Sequence, residues 1–262
     1  MLAEVYAQAL RHSGVPVEVI QGLGTREIVE PALEQGQVDL VIDYLGTVLD
    51  FLSPGDTRTH GDSAVVFAAL RTTLAGRPIT ALPYAQAQDQ NGFAVTAAFA
   101  EAHSLSALSD IRELAPTMRF GGPPECSTRR HCLAGLEAKY GLHFSAFVPI
   151  STRAATAAAL QAGEIQIGLL ETTDPRLASG DLVLLRDDRG LQPQENIVPI
   201  VRREVLDREG GGLAATVALV SSRLTRAALF DLNRAVEIDR ATPAAAAGRW
   251  LAATELSSFR LR

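Results

Sequence analysis

The sequence predicts an α/β protein made of two like lobes, and three observations lead there. Short apolar runs suited to strands alternate with ten-residue amphipathic helices, the grammar of layered α/β folds. A helix–glycine–strand segment occurs twice, at 31–44 and again at 158–171. The chain of 262 residues is 47% hydrophobic, so it can bury a sizeable core.

Leu2–Arg11 carries apolar residues at 2, 5, 6, 9 and 10 and stops at Gly14, as an amphipathic helix should. Val15–Ile20 reads as a strand. Thr25 is placed to cap a helix reaching Glu34, stopped by Gly36 and kinked by Pro31. Val38–Ile42 suits a buried parallel strand. Asp62 or Ser63 caps a helix through Leu74, and Ile79–Leu82 is the next strand. Phe93–Thr96, Met118–Phe120, Phe147–Ile150, Ile165–Leu170 and Leu182–Leu185 follow as strands. Helices at Asp110–Leu114, Leu133–Tyr140 and Arg153–Gln161 separate them. The end is helical over Ser222–Ile238 and Thr242–Leu256, with Thr242 as cap and Pro243 at the first helical position. The sheets are expected to be mostly parallel.

The repeat goes further than grammar. Pro31-Ala-Leu-Glu-Gln-Gly-Gln-Val-Asp-Leu-Val-Ile-Asp-Tyr44 aligns without gaps on Ala158-Ala-Leu-Gln-Ala-Gly-Glu-Ile-Gln-Ile-Gly-Leu-Leu-Glu171. In each copy a helix ends at glycine, a buried strand follows, and a polar or aromatic residue emerges at its C-terminal end. Open α/β sheets bind ligands at such ends. Two copies imply two lobes offering strand ends to a shared cleft, the plan of a hinged binding protein.

A net charge of −6 argues against a nucleic-acid partner. No apolar run reaches the length of a membrane span, and Met1-Leu2-Ala3-Glu4 has an acid where a signal peptide carries basic residues. The two cysteines, Cys126 and Cys132, close a small loop next to Gly121-Gly-Pro-Pro124. A disulfide is the favoured reading and implies an oxidising compartment. Free thiols, or a metal site with His131, are the alternatives, although a structural zinc site would need a fourth ligand. Catalytic signatures are lacking: no Gly-x-Ser-x-Gly, Ser-x-x-Lys or His-Glu-x-x-His occurs. Gly22-Leu-Gly24 could hold an anion, but no P-loop lysine follows, and Lys139 is the chain's one lysine. No cofactor or enzyme activity is expected.

Several segments resemble the substrate-binding proteins of osmoprotectant ABC transporters, which take up glycine betaine, choline and carnitine. Leu2–Leu10 is similar to their first helix. Glu30–Leu40 followed by Asp43-Tyr-Leu-Gly-Thr47 resembles the family's "ALxxGxxD…EYTGT" signature. Leu136–Phe144, Thr173-Asp174, Leu184–Gly190 and Asn196–Arg202 match further segments in order, over about residues 1–205. The resemblance implies a two-lobe type II periplasmic-binding-protein fold. Residues 1–90 and 196–262 would form the first lobe and 91–195 the second, with the ligand cleft between them. The family's first strand and its export signal would lie before residue 1.

The family holds a quaternary ammonium in a cage of aromatic rings, because that group has no hydrogen to donate and is bound by cation–π attraction. By motif position Tyr44 and Phe93 match cage aromatics, Thr47 a nearby hydroxyl, Asn91 a polar neighbour and Arg129 the arginine that receives a carboxylate. Two further aromatic positions fall on Glu171 and Glu195, and Asn196 stands next to the latter. Carboxylates there suit a ligand with N–H donors better than a methylated ammonium. The function so implied is that of an extracytoplasmic receptor, a monomer, passing a small cationic or zwitterionic osmolyte to an ABC permease, with a lipid anchor or fused permease as its membrane link. The rivals are a receptor retuned to another amine, an effector-sensing domain of a regulator on the same fold, and an enzyme using Glu171 and Glu195 as acid and base.

Overall fold

The computed structural model describes residues 1–256. In chain order the elements are α1 (Leu2–His12), α2 (Arg26–Glu34), β1 (Leu40–Tyr44), α3 (Leu45–Leu52), α4 (Ser63–Thr73), β2 (Ile79–Ala81), β3 (Asn91–Thr96), α5 (Ala97–Ala102), β4 (Arg119–Gly122), α6 (Leu133–Gly135), β5 (Ala146–Pro149), α7 (Arg153–Gln161), β6 (Ile167–Glu171), β7 (Leu182–Leu185), β8 (Ile197–Arg202), α8 (Arg203–Glu209), α9 (Gly211–Arg223), α10 (Arg226–Glu237) and α11 (Pro243–Ala253). A π-helical turn, Leu136–Tyr140, prolongs α6. Among the described residues no single helix is long and apolar enough to cross a membrane. The chain divides into one unit of Met1–Asp89 with Gln194–Arg262 and another of Gln90–Pro193.

In the first unit the sheet order is β1-β8-β2, and β8 runs antiparallel to both neighbours. β8 carries Ile197 and Val201 into a core with Val5, Tyr6 and Leu10 of α1, while Val198 and Ile200 enter a second core with Leu33, Leu45 and Leu70. A strand buried on both faces loses its period-two signature, which is why Ile197-Val-Pro-Ile-Val-Arg202 does not read as a strand from alternation. The Tyr6 hydroxyl, deep in this core, shares a hydrogen bond of 3.0 Å with Ser221.

The extended segment Val15–Ile20 is not a strand. Its residues alternate as a strand's would, with Val15, Val17 and Val19 half-buried and Pro16, Glu18 and Ile20 exposed, but no strand among the described residues pairs with it. A cavity of about 720 Å³ is lined by Val15, Val17, Leu40 and Ile42, together with Tyr6 and Leu10 of α1. Among the described residues β1 pairs on one side only, with β8. The expected helix Ser222–Ile238 is also revised: the chain turns by 89° between α9 and α10, and Thr225 restarts the helix by accepting the Ala228 N–H at 3.2 Å.

In the second unit the order is β5-β4-β6-β3-β7. Phe93, Phe120, Ile167 and Leu169 fill one face, and Ala94, Leu160, Ile165 and Leu170 the other. Here β4 is parallel to β5 and β6, whereas β3 is antiparallel to β6 and β7. The expectation of mostly parallel sheets therefore fails in both units, which are mixed or antiparallel. β3 and β8 are the strands that follow the two passages between units at 89–90 and 193–194. Entered without a preceding crossover helix, they are free to run against their neighbours.

Both copies of the repeat fold alike. In the first, the Gln37 and Val38 N–H groups both reach the Ala32 carbonyl; in the second, Glu164 and Ile165 do the same with Ala159. Gly36 and Gly163 take left-handed φ of +78° and +71° to make that wrap. The cap consumes the residues after each glycine, so β1 and β6 begin two residues later than the apolar runs suggest. Gly135 serves a different need: a β-carbon there would lie 1.9 Å from the Arg130 carbonyl oxygen. Gly135→Ala is expected to cost about 1–3 kcal/mol of stability in the second unit, read from the midpoint of urea denaturation at unchanged slope.

Candidate functional site

In the first unit the end of β1 turns directly into α3, and a buried charge cluster braces the corner. Arg26, the first residue of α2, sends Nε to Asp43 Oδ2 at 2.8 Å and Nη2 to Asp43 Oδ1. Asp43 Oδ1 also accepts the Tyr44 N–H at 2.7 Å. Arg26 Nη2 reaches on to the Thr47 hydroxyl at 2.9 Å. Thr47 in turn donates its N–H and its hydroxyl to Glu195 Oε2, at 3.4 Å and 3.3 Å. The backbone closes the same ring: Leu45 N–H bonds the Asn196 carbonyl at 2.9 Å and Gly46 N–H the Gln194 carbonyl at 2.6 Å. Tyr44 and Thr47 are left half-buried on this corner.

Two expected site residues are buried here. Glu195 is 3% exposed and Asn196 2%. The Asn196 amide donates to the Ala85 carbonyl at 2.8 Å and accepts from Ser63 at 2.7 Å, so it ties β8 to its surroundings.

In the second unit Asn91 and Glu171 face each other across the β3–β6 pair. Asn91 Nδ2 donates to the His131 carbonyl at 3.4 Å, and Gln192 Nε2 donates to the same oxygen at 3.0 Å. Glu171 is held by Arg153, which donates both Nε and Nη2 to Oε1 and stands at the first position of α7, after the Thr152 cap. The two side chains stay about a quarter exposed, at 25% and 27%. Phe93, expected in the cage, is 1% exposed and packs edge-on against Phe120, with ring centres 5.8 Å apart. It lies in the core cluster with Phe120, Ile167 and Leu169. Cys126 and Cys132 are disulfide-bonded, their Cα atoms 5.2 Å apart, and the closed loop carries a half-buried Arg129.

The sequence model of the OpuAC family, the substrate-binding domain of ABC-type glycine betaine transport systems, matches residues 1–253. The chain belongs to this family. It is 28% identical over 261 residues to a glycine-betaine-binding protein of Pseudomonas aeruginosa, covering 96% of this chain and 83% of that one. Identity to the glycine betaine-binding protein YehZ of Escherichia coli is 24%, over 91% of this chain and 81% of that protein. Among solved structures, a glycine betaine/carnitine/choline ABC transporter protein superposes with a TM-score of 0.76 at 21% identity, covering 97% of this chain and 96% of the other. Lactococcal OpuAC, closed on glycine betaine, gives 0.65 at 18% identity, over 97% and 91%.

Within this OpuAC member, three charged residues at the two strand ends escaped the sequence reading: Arg26, Asp43 and Arg153. A usable signal existed, since a carboxylate at the end of a buried strand needs a cation, and each arginine opens the helix that precedes that strand in the repeat. Burial shapes the proton affinities at the first corner. It works against the Arg26 charge, yet the carboxylate of Asp43 outweighs it and holds the guanidinium above its usual range. Burial pushes Glu195 up to about 8, against the pull of Arg26. Glu30, one helical turn beyond Arg26 with both carboxylate oxygens buried and without a hydrogen-bond partner among the described residues, is pushed by burial and then by Asp43 up to about 7.

Both glutamates bind protons more tightly folded than unfolded, where the ordinary value is 4.5. Stability from this source is full below that value and falls as pH rises through about 7 and about 8. Thermal unfolding between about pH 5 and about pH 9 is expected to show a declining Tm, and the Glu195→Gln variant a shallower decline.

Proposed function

We propose that this OpuAC-family receptor binds a zwitterionic solute of the betaine class and delivers it to an ABC permease. The observation that carries the reading is the Arg153–Glu171 pair, about a quarter exposed, at the end of β6. Glu171 occupies one edge of the guanidinium, and the remaining N–H donors suit a carboxylate. Tyr44 supplies an aromatic face for the ammonium, with Thr47 close by, and Asn91 and Arg129 add polar contacts. Because Phe93 is in the core, the cage that a bare quaternary ammonium needs is poorer in rings than the resemblance implies. Recognition therefore rests more on the solute's carboxylate. Three named relatives fit this class: the two glycine betaine-binding proteins and an ergothioneine transport permease/ergothioneine binding protein of Helicobacter pylori, 22% identical, of which this chain spans 43%.

Extracytoplasmic placement goes with the reading, and the Cys126–Cys132 bridge supports it, since such bonds persist in oxidising compartments. An acid/base role for Glu171 and Glu195 has no support: one is bound to Arg153, the other is buried in the other unit.

Calorimetric titration tests the proposal with glycine betaine, carnitine, choline and ergothioneine. The carboxylate-bearing solutes are expected to bind more tightly than choline. Arg153→Ala should weaken them about tenfold or more while leaving choline nearly unchanged, and Tyr44→Ala should weaken all four. Choline binding tighter than betaine, insensitive to Arg153, would overturn the assignment.

A further inference from the structure

The Arg26–Asp43–Thr47–Glu195 chain has one member whose hydrogen bonding can be reversed. A threonine hydroxyl owns one hydrogen and two lone pairs. At Thr47 one lone pair is taken by Arg26 Nη2 at 2.9 Å. The hydrogen is directed to Glu195 Oε2 at 3.3 Å, where the Thr47 N–H also converges. With Glu195 ionised, that hydrogen is committed inside the chain and the hydroxyl presents only its second lone pair. A proton on Glu195 Oε2 turns the bond round: the carboxylic acid donates to the hydroxyl oxygen, both lone pairs are engaged, and the hydroxyl hydrogen leaves Glu195, with the Tyr44 carbonyl at a long 3.5 Å as its acceptor within the protein and a bound solute as the competing one.

We propose that Glu195 acts through Thr47 as a positioning residue, its proton deciding whether the Thr47 hydroxyl offers a lone pair or a hydrogen to a bound solute. The inference rests on Thr47 belonging to the solute site. Its two consequences point the same way. A protonated Glu195 makes Thr47 a donor, which favours a solute carboxylate, and removes a negative charge, which weakens attraction for a net cation. An ionised Glu195 does the opposite. The charges facing Glu195 are Arg26 from α2 and Asp43 from β1, and these two are paired with each other, so Glu195 is the member of the chain free to change its charge. Its burial places that change at about 8, inside the range where proteins work. Glu30, on the same helix as Arg26 and beside Asp43, Glu34 and Arg77, titrates nearby and must be separated from it.

The experiment uses the whole chain, titrated with glycine betaine and with choline at about pH 6 and about pH 9. The choline-to-betaine affinity ratio is expected to rise about two- to tenfold with pH, the worth of one hydrogen bond. Glu195→Gln should abolish that rise and Glu30→Gln should keep it. A ratio independent of pH, or a rise that survives Glu195→Gln, would sink the proposal. A second readout needs no solute: the Thr47 amide resonance of isotope-labelled protein should titrate with a midpoint of about 8, lose that titration in Glu195→Gln and retain it in Glu30→Gln. An amide that does not titrate overturns the proposal even if both solutes bind. A titrating amide with neither solute bound would uphold the switch and count against the betaine reading.

Discussion

A carboxylate removed from water must be neutralised or hold a proton, and the corner where β1 becomes α3 obeys both halves of that requirement. Asp43 takes the first course. Arg26 grips both its oxygens, and the same guanidinium goes on to the hydroxyl of Thr47. Glu195 and Glu30, more deeply placed and without a guanidinium of their own, take the second. The direction of Tyr44 and Thr47 depends on this arrangement, because the Tyr44 N–H ends on Asp43 and the Thr47 N–H on Glu195. The second unit solves the problem at its own strand end with Arg153 and Glu171, about a quarter exposed, where pairing leaves some of the charge accessible.

The fold was legible where local signals are strong. Glycine-terminated helices, the Thr242 cap and the doubled helix–glycine–strand segment appear where the residues place them, Thr25 stands at the start of α2 without a side-chain cap bond, and α7 runs from Arg153 to Gln161 as expected. What escaped was set by long-range burial. β8 is apolar on both faces, so nothing in its spacing separates it from a core helix, and its antiparallel direction follows from the passage between units rather than from any local residue. Val15–Ile20 shows the reverse: its alternation is strand-like, yet a strand is defined by a partner.

The site was legible by residue type more than by role. Tyr44, Thr47, Asn91 and Glu171 stand at the strand ends to which the repeat points. Phe93 shares its face of β3 with Asn91 but lies two residues farther from the strand end, and Asn196 directly precedes β8; both are buried, and a motif match carries no information about depth. Glu195 kept its importance while losing its surface, a distinction only depth of burial can draw. Arg26 and Arg153 were hidden among the many arginines of a chain with a single lysine, where a cation by itself distinguishes little.

The flank of β1 that faces away from β8 bears on how the protein behaves in company. A strand edge with free N–H and C=O groups is a template on which another chain can stack, and stacking of that kind ends in aggregates. Outward from Val15–Ile20, beside the same cavity, stand Pro16, which has no N–H to offer, and Glu18, whose charge resists a close neighbour. Ile20, also outward, is 51% exposed and lacks either protection. Pro16 and Glu18 thus guard this stretch, and exchanging either for a β-branched apolar residue is expected to raise the tendency of the protein to aggregate.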